Sequence, residues 1–85
     1  MKTLADEIYS IMSDAMKQIL ERTENHKAAR DYLVDNICRC CVLAFTNTDY
    51  KSKNDKIAYF KKWTDYYIND IDKAIHDFRH CESNQ

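Results

Sequence analysis

The chain contains no glycine and no proline in 85 residues. Two-residue hairpin turns lean on glycine for their positive φ angles. Loops that cradle phosphate need it for close approach of the backbone. A β-sandwich, a dinucleotide-binding unit or a P-loop built without glycine is therefore strongly disfavoured, and what remains is a set of helices joined by polar turns. A chain of this length makes one domain. It buries only ~60–65% of its unfolded surface, so its margin is thin. Where disulfides and metals are absent, oligomerisation is the usual remedy.

Three helices follow from the spacing of apolar residues. Leu4, Ile8, Ile11, Met12, Ala15, Ile19 and Leu20 recur at three- and four-residue steps and predict a helix over 4–22. Thr3 caps it, with Asp6 in the acidic position of a capping box. The polar run ERTENHK predicts a break around Thr23 to Asn25, with Thr23 or Asn25 capping the next helix. One continuous helix from Thr3 to Phe45 is the alternative. The second helix, 26–45, carries two apolar stripes. Ala29, Leu33, Ile37, Cys40 and Ala44 form the first, and Val34, Cys38, Cys41 and Phe45 form the second. A helix apolar nearly all round is a buried helix, which makes this segment the centre of the core. The loop 46–54 is rich in Asn, Asp, Ser and Thr, whose side chains compete for backbone groups. Ser52 or Asn54 then caps a third helix over 55–80. Its seam is Ile57, Phe60, Thr64, Tyr67, Ile71, Ala74, Phe78 and Cys81, spaced as a/d positions. At 1.5 Å per residue that helix spans ~40 Å against ~30 Å for the other two. The fold class read from these patterns is all-α: an antiparallel three-helix bundle, up-down-up, with a long third helix that dimerises, in one domain over 1–85.

Three of the four cysteines lie in the run NICRCCVLAF. Cys38 and Cys41, with His76 and His80, make a Cys2His2 set on paper, and Cys81 lies beside the histidines. In an antiparallel hairpin His76 falls ~20 Å along the axis from Cys38 at helical rise, far beyond the ~2.0–2.3 Å of a zinc bond. The Cys38–Cys41 pair also reads as C-x-x-C, but without the strand–helix setting of a thioredoxin-like site. The cysteines are read as core packing, since free thiols behave as small buried hydrophobes. No metal and no cofactor is expected.

The second place where function could reside is YKSKNDKIAYFKKWTDYY. Lys51, Lys53, Lys56, Lys61 and Lys62 gather at the start of the third helix, with Tyr59, Trp63 and Tyr66 among them. Acids follow at Asp65, Asp70, Asp72 and Asp77. That polarity opposes the helix dipole. Three readings compete: a solvated face, a dimer in which each basic half meets its mate's acidic half, and a site for phosphate, nucleotide or single-stranded nucleic acid with an aromatic ring stacked on a base.

The net charge of −1 with 32% charged residues is a solvated surface, not the basic footprint of a duplex binder. No stretch reaches the ~20 apolar residues of a membrane helix, and acids at Asp6 and Glu7 interrupt any signal-peptide core. The expectation is a cytoplasmic protein with no membrane partner. The excess of Asn, Lys, Ile and Tyr suits an AT-rich genome, such as that of a phage or mobile element. No nucleophile sits beside a base and no paired carboxylates flank a cleft; Asp72 and His76 at i,i+4 are an ordinary exposed helix pair. The sequence therefore reads as a small non-enzymatic interaction protein, an adaptor, regulator or inhibitor acting on a protein partner and forming a homodimer. The alternative is a nucleotide or nucleic-acid binder using the Lys/Trp/Tyr stretch.

Overall fold

The computed structural model describes residues 2–47, 49 and 51–83, with side chains as far as Arg79. Four helices follow one another: α1 (Leu4–Arg22), α2 (Lys27–Thr46), α3 (Lys53–Asn69) and α4 (Ile71–Ser83). Among the described residues there is no strand. The molecule measures 46 × 24 × 18 Å.

Helix α1 begins where its capping box places it. Thr3 Oγ1 accepts from the Asp6 N–H at 3.1 Å, and Asp6 Oδ2 accepts from the Thr3 N–H at 3.1 Å. Two N–H groups that the first turn would leave orphaned are thus satisfied. The Thr3 backbone N–H and then its hydroxyl hold the Asp6 carboxyl below its ordinary value. The helix buries Ile8, Ala15 and Ile19.

The break between the first two helices is real, and no single helix runs from Thr3 to Phe45. The capping expectation fails in detail, however. Thr23 closes α1 rather than opening α2. Its N–H and its hydroxyl both donate to the Ile19 carbonyl, and its side chain is fully buried. Folding its polar atom back onto the backbone lets the chain turn without glycine. His26 occupies the N-cap of α2 and makes no side-chain cap bond.

Helix α2 is central, packing against α1, α3 and α4. Its first stripe, Ala29, Leu33, Ile37, Cys40 and Ala44, is buried throughout. The second stripe is not. Val34 and Cys41 are half-buried, while Cys38 and Phe45 are exposed. The helix is therefore not buried all round, and Cys38 is not a core thiol. Neighbours on two sides leave one side of the helix without cover.

The long third helix expected over 55–80 is two helices, starting at Lys53 and divided at Asp70. The Asp70 N–H is shared between the Tyr66 and Tyr67 carbonyls, both at 3.1 Å, and its φ and ψ are −90° and 0°. The Ala74 N–H already returns to the Asp70 carbonyl at 2.8 Å. The interruption is one residue long. Helix α3 starts as anticipated, with Ser52 Oγ accepting from the Asp55 N–H at 3.1 Å.

The first three helices alternate in direction. Lys53, at the start of α3, reaches the Lys2 carbonyl, and Arg22 pairs with Asp72 at 2.9 Å, so α1 and α3 run side by side in the same sense. Lys56 lies by Phe45, and Tyr67 by Asn36, so α2 runs against α3. Helix α4 then lies on the N-terminal half of α2, where the Tyr32 and Phe78 rings meet at 5.2 Å. Phe60 and Ile71 join Ile8, Ile19, Leu33 and Ile37 as the largest fully buried side chains. Each such burial is worth ~1.5–3 kcal/mol.

Candidate functional site

The lysines of the third-helix stretch do not converge on one site. Lys53 Nζ donates to the Lys2 carbonyl and lies 3.9 Å from Glu7. Lys56 Nζ donates to the Phe45 carbonyl at 3.4 Å, in the last turn of α2. That turn contains no basic residue of its own. A cation supplied from α3 meets the negative end of the α2 dipole there. Lys61 lies on the side of α3 that faces α1, along a shallow groove with Ile11 and Ile57. Lys62 turns the other way, its ammonium 5.6 Å from the centre of the Trp63 ring. The dipole conflict read from the sequence is eased at Asp72 but remains in α3, which starts on Lys53 and Lys56 and is capped at its C-terminus by Asp70. Because the helix restarts after Asp70, Asp72 sits in the first turn of α4, where an acid is favourable.

The aromatic residues of the stretch do come together. Trp63 meets Tyr66 edge-on at 5.7 Å, Tyr66 meets Tyr67 at 5.1 Å, and Tyr67 meets Tyr32 at 6.3 Å. With the Tyr32–Phe78 contact this is a run of rings across α3, α2 and α4. Tyr66 is exposed, while Tyr59 and Trp63 are half-buried and pack against the core. Edge-to-face pairs of this kind add ~0.5–1.5 kcal/mol beyond their area. These rings act first as packing between helices.

The feature that the sequence pattern concealed is on α2. Asp35, Cys38, Arg39, Val42 and Leu43 line an open surface groove of about 440 Å³ on the outer side of that helix. Val42 is 59% exposed, Leu43 45% and Phe45 41%. Asp35 and Arg39 close one end of it with an ion pair at 2.9 Å. Along α1, Tyr9, Met12, Met16 and Leu20 line a second shallow groove, with Tyr9 and Leu20 largely exposed. Ile11, Asp14 and Gln18 face α3, so this stripe lies on the flank of α1 away from α3. Scattered exposed apolar side chains are ordinary, but a contiguous set is the mark of an interaction surface. The thiols divide across the same helix: Cys38 outward, Cys41 at the edge, Cys40 inward.

Among the described residues, no three His, Cys, Asp or Glu side chains are grouped to hold a metal ion. His76 is exposed; the side chains of His80 and Cys81 lie outside the described residues. Asp72 pairs with Arg22. No helix among the described residues is long and apolar enough to cross a membrane. Comparison with known proteins finds no matching family model, no matching curated protein and no matching solved structure.

Proposed function

We propose that the protein is a non-enzymatic helical interaction module, and that it docks a protein partner through the outer face of α2 and the flank of α1 away from α3. The observation that carries this reading is the exposure of Val42, Leu43 and Phe45 on the helix that also supplies the centre of the core. One side of α2 is held rigid by burial, so the side chains on its other side are presented at fixed spacing. Preorganised apolar anchors bind at a lower entropic cost than mobile ones. Rimming ions at Asp35 and Arg39 fit the usual plan of an apolar centre with a polar edge.

The test compares the wild-type chain with Val42→Asp as baits for affinity purification from the native host. Val42 is 59% exposed and not part of the core cluster, so the variant folds with stability within ~0.5 kcal/mol of wild type. A protein retained by the wild type and lost from the variant, with affinity reduced ~30-fold or more as at an interface hot spot, supports the reading. Identical retention by both baits overturns it.

A second reading rests on Lys62 stacked over Trp63 beside exposed Tyr66. A cation, an indole and a phenol in that order can grip a base and its phosphate. The chain has one tryptophan, so quenching of its fluorescence by a single-stranded oligonucleotide, abolished in Lys61→Glu/Lys62→Glu, supports this alternative. An unchanged emission at millimolar nucleotide removes it.

A further inference from the structure

We propose that α4 is an exchangeable arm: two copies of the chain trade their α4 helices, each α4 docking on the N-terminal half of its partner's α2. The inference is independent of the outer face of α2.

Three observations meet at Asp70. First, the apolar spacing crosses the break without an insertion. Thr64, Tyr67, Ile71, Ala74 and Phe78 keep the alternation of three and four that one uninterrupted helix requires. A permanent corner between two helices ordinarily disturbs that register or carries a helix breaker. Second, neither glycine nor proline stands at the break, and the backbone at Asp70 has a negative φ open to any residue. The i→i−4 bonds on either side of Asp70 are already in place. A helix that starts at Ile71 leaves first-turn N–H groups without intrahelical partners. Continuing α3 into α4 gives those donors the carbonyls of Tyr67, Ile68 and Asn69. Third, α4 packs chiefly on α2, through Ile71, Ala74 and the Phe78–Tyr32 contact. A surface made chiefly by one helix against one other, with only the exposed Arg22–Asp72 pair reaching α1 among the described residues, can be satisfied by the same helix from a second copy. Exchange of an identical element is a low-cost route to a dimer.

In the exchanged form the α3–α4 segments become single helices that cross at a two-fold axis near Asp70. The two Asp70 carboxylates then approach one another, so this side chain works against the dimer. Asp is also a preferred N-cap, which favours a helix starting after it. Asp70→Ala removes both effects and adds a residue of higher helix propensity. The propensity difference alone is worth about threefold per chain, and so about tenfold in the dissociation constant of the dimer. Asp70→Gly removes the same carboxylate but penalises the continuous helix, so its comparison with Asp70→Ala isolates helix continuity.

The experiment is light scattering of wild type, Asp70→Ala and Asp70→Gly over a concentration series, with circular dichroism to verify folding. Isotope-filtered NMR follows on dimer assembled from a mixture of labelled and unlabelled chains. The expected result is a larger dimer fraction for Asp70→Ala than for either wild type or Asp70→Gly, with Tyr32–Phe78 contacts between chains. Asp70→Ala that stays monomeric at the highest concentration overturns the proposal. So does a dimer in which Tyr32 and Phe78 touch only within one chain, which would mean docking of two closed copies. If Asp70→Ala does not fold, the wild-type dimer at high concentration is tested for the same inter-chain contact, and its absence also overturns the proposal.

Discussion

Individual side chains show how narrowly this small fold is satisfied. Thr64 is 2% exposed, and its hydroxyl has no hydrogen-bond partner among the described residues. A hydroxyl buried without a partner costs free energy that an isosteric apolar group does not. Thr64→Val keeps the branch and removes the oxygen. It is expected to stabilise the protein by about 1 kcal/mol, raising the melting temperature ~4–8 °C in a domain of this size; calorimetry showing a lower melting temperature would refute the unsatisfied-hydroxyl argument. The thiols make a second expectation. Burial, and next the neighbouring Cys41, raises the Cys40 thiol above its ordinary 9.0; burial, and next Cys38, raises Cys41 likewise. Burial is also the first cause lifting Tyr67 above 10.0. An acid whose pKa is higher folded than unfolded contributes stability that is complete below the unfolded value and is lost as pH rises through the folded one. Urea midpoints should therefore hold steady between pH 7 and 8.5 as far as these groups are concerned, and fall from about pH 9 upward. Cys41→Ala should flatten that decline. A midpoint unchanged at pH 10 would show that these groups are not perturbed by the fold.

The helices differ in how much of themselves the sequence disclosed. Helix α1 was legible to the residue, because a capping box and a single apolar face are local signals. Thr3→Ala, which deletes one half of that box, is expected to cost about 1 kcal/mol and to fray the first turn; retention of full stability in chemical denaturation would show that the cap is idle. The Ser52 cap was legible for the same reason. The break at Asp70 was not, because nothing in the local sequence forbids a helix there: the turn of α4 onto α2 is a tertiary preference. The two stripes of α2 were both visible as hydrophobic, but periodicity cannot say which stripe finds a neighbour. Only the number and placement of the other helices decides that. The lysines at the start of α3 misled for a related reason. Lys53 and Lys56 are spoken for by groups 51 and 11 residues away in sequence. What looked like a free basic patch is partly the electrostatic seam that ties three helix ends together.

At the scale of the whole molecule, α1, α3 and α4 cover one side of α2, and among the described residues its outer side stays open. Cys40, Leu33 and Ile37 sit inward on that helix while Cys38, Val42 and Phe45 look out. The proposed docking face and the stability of the core are therefore properties of opposite sides of a single element. Site-resolved alkylation of the native protein, followed by mass spectrometry, reads both sides at once. Cys38 should label at nearly the rate of a free thiol, Cys41 more slowly, and Cys40 only as the whole domain unfolds, with the Cys40 rate accelerating in urea. Cys40 reacting as fast as Cys38 in the absence of denaturant would contradict an α2 that is buried on one side and presented on the other.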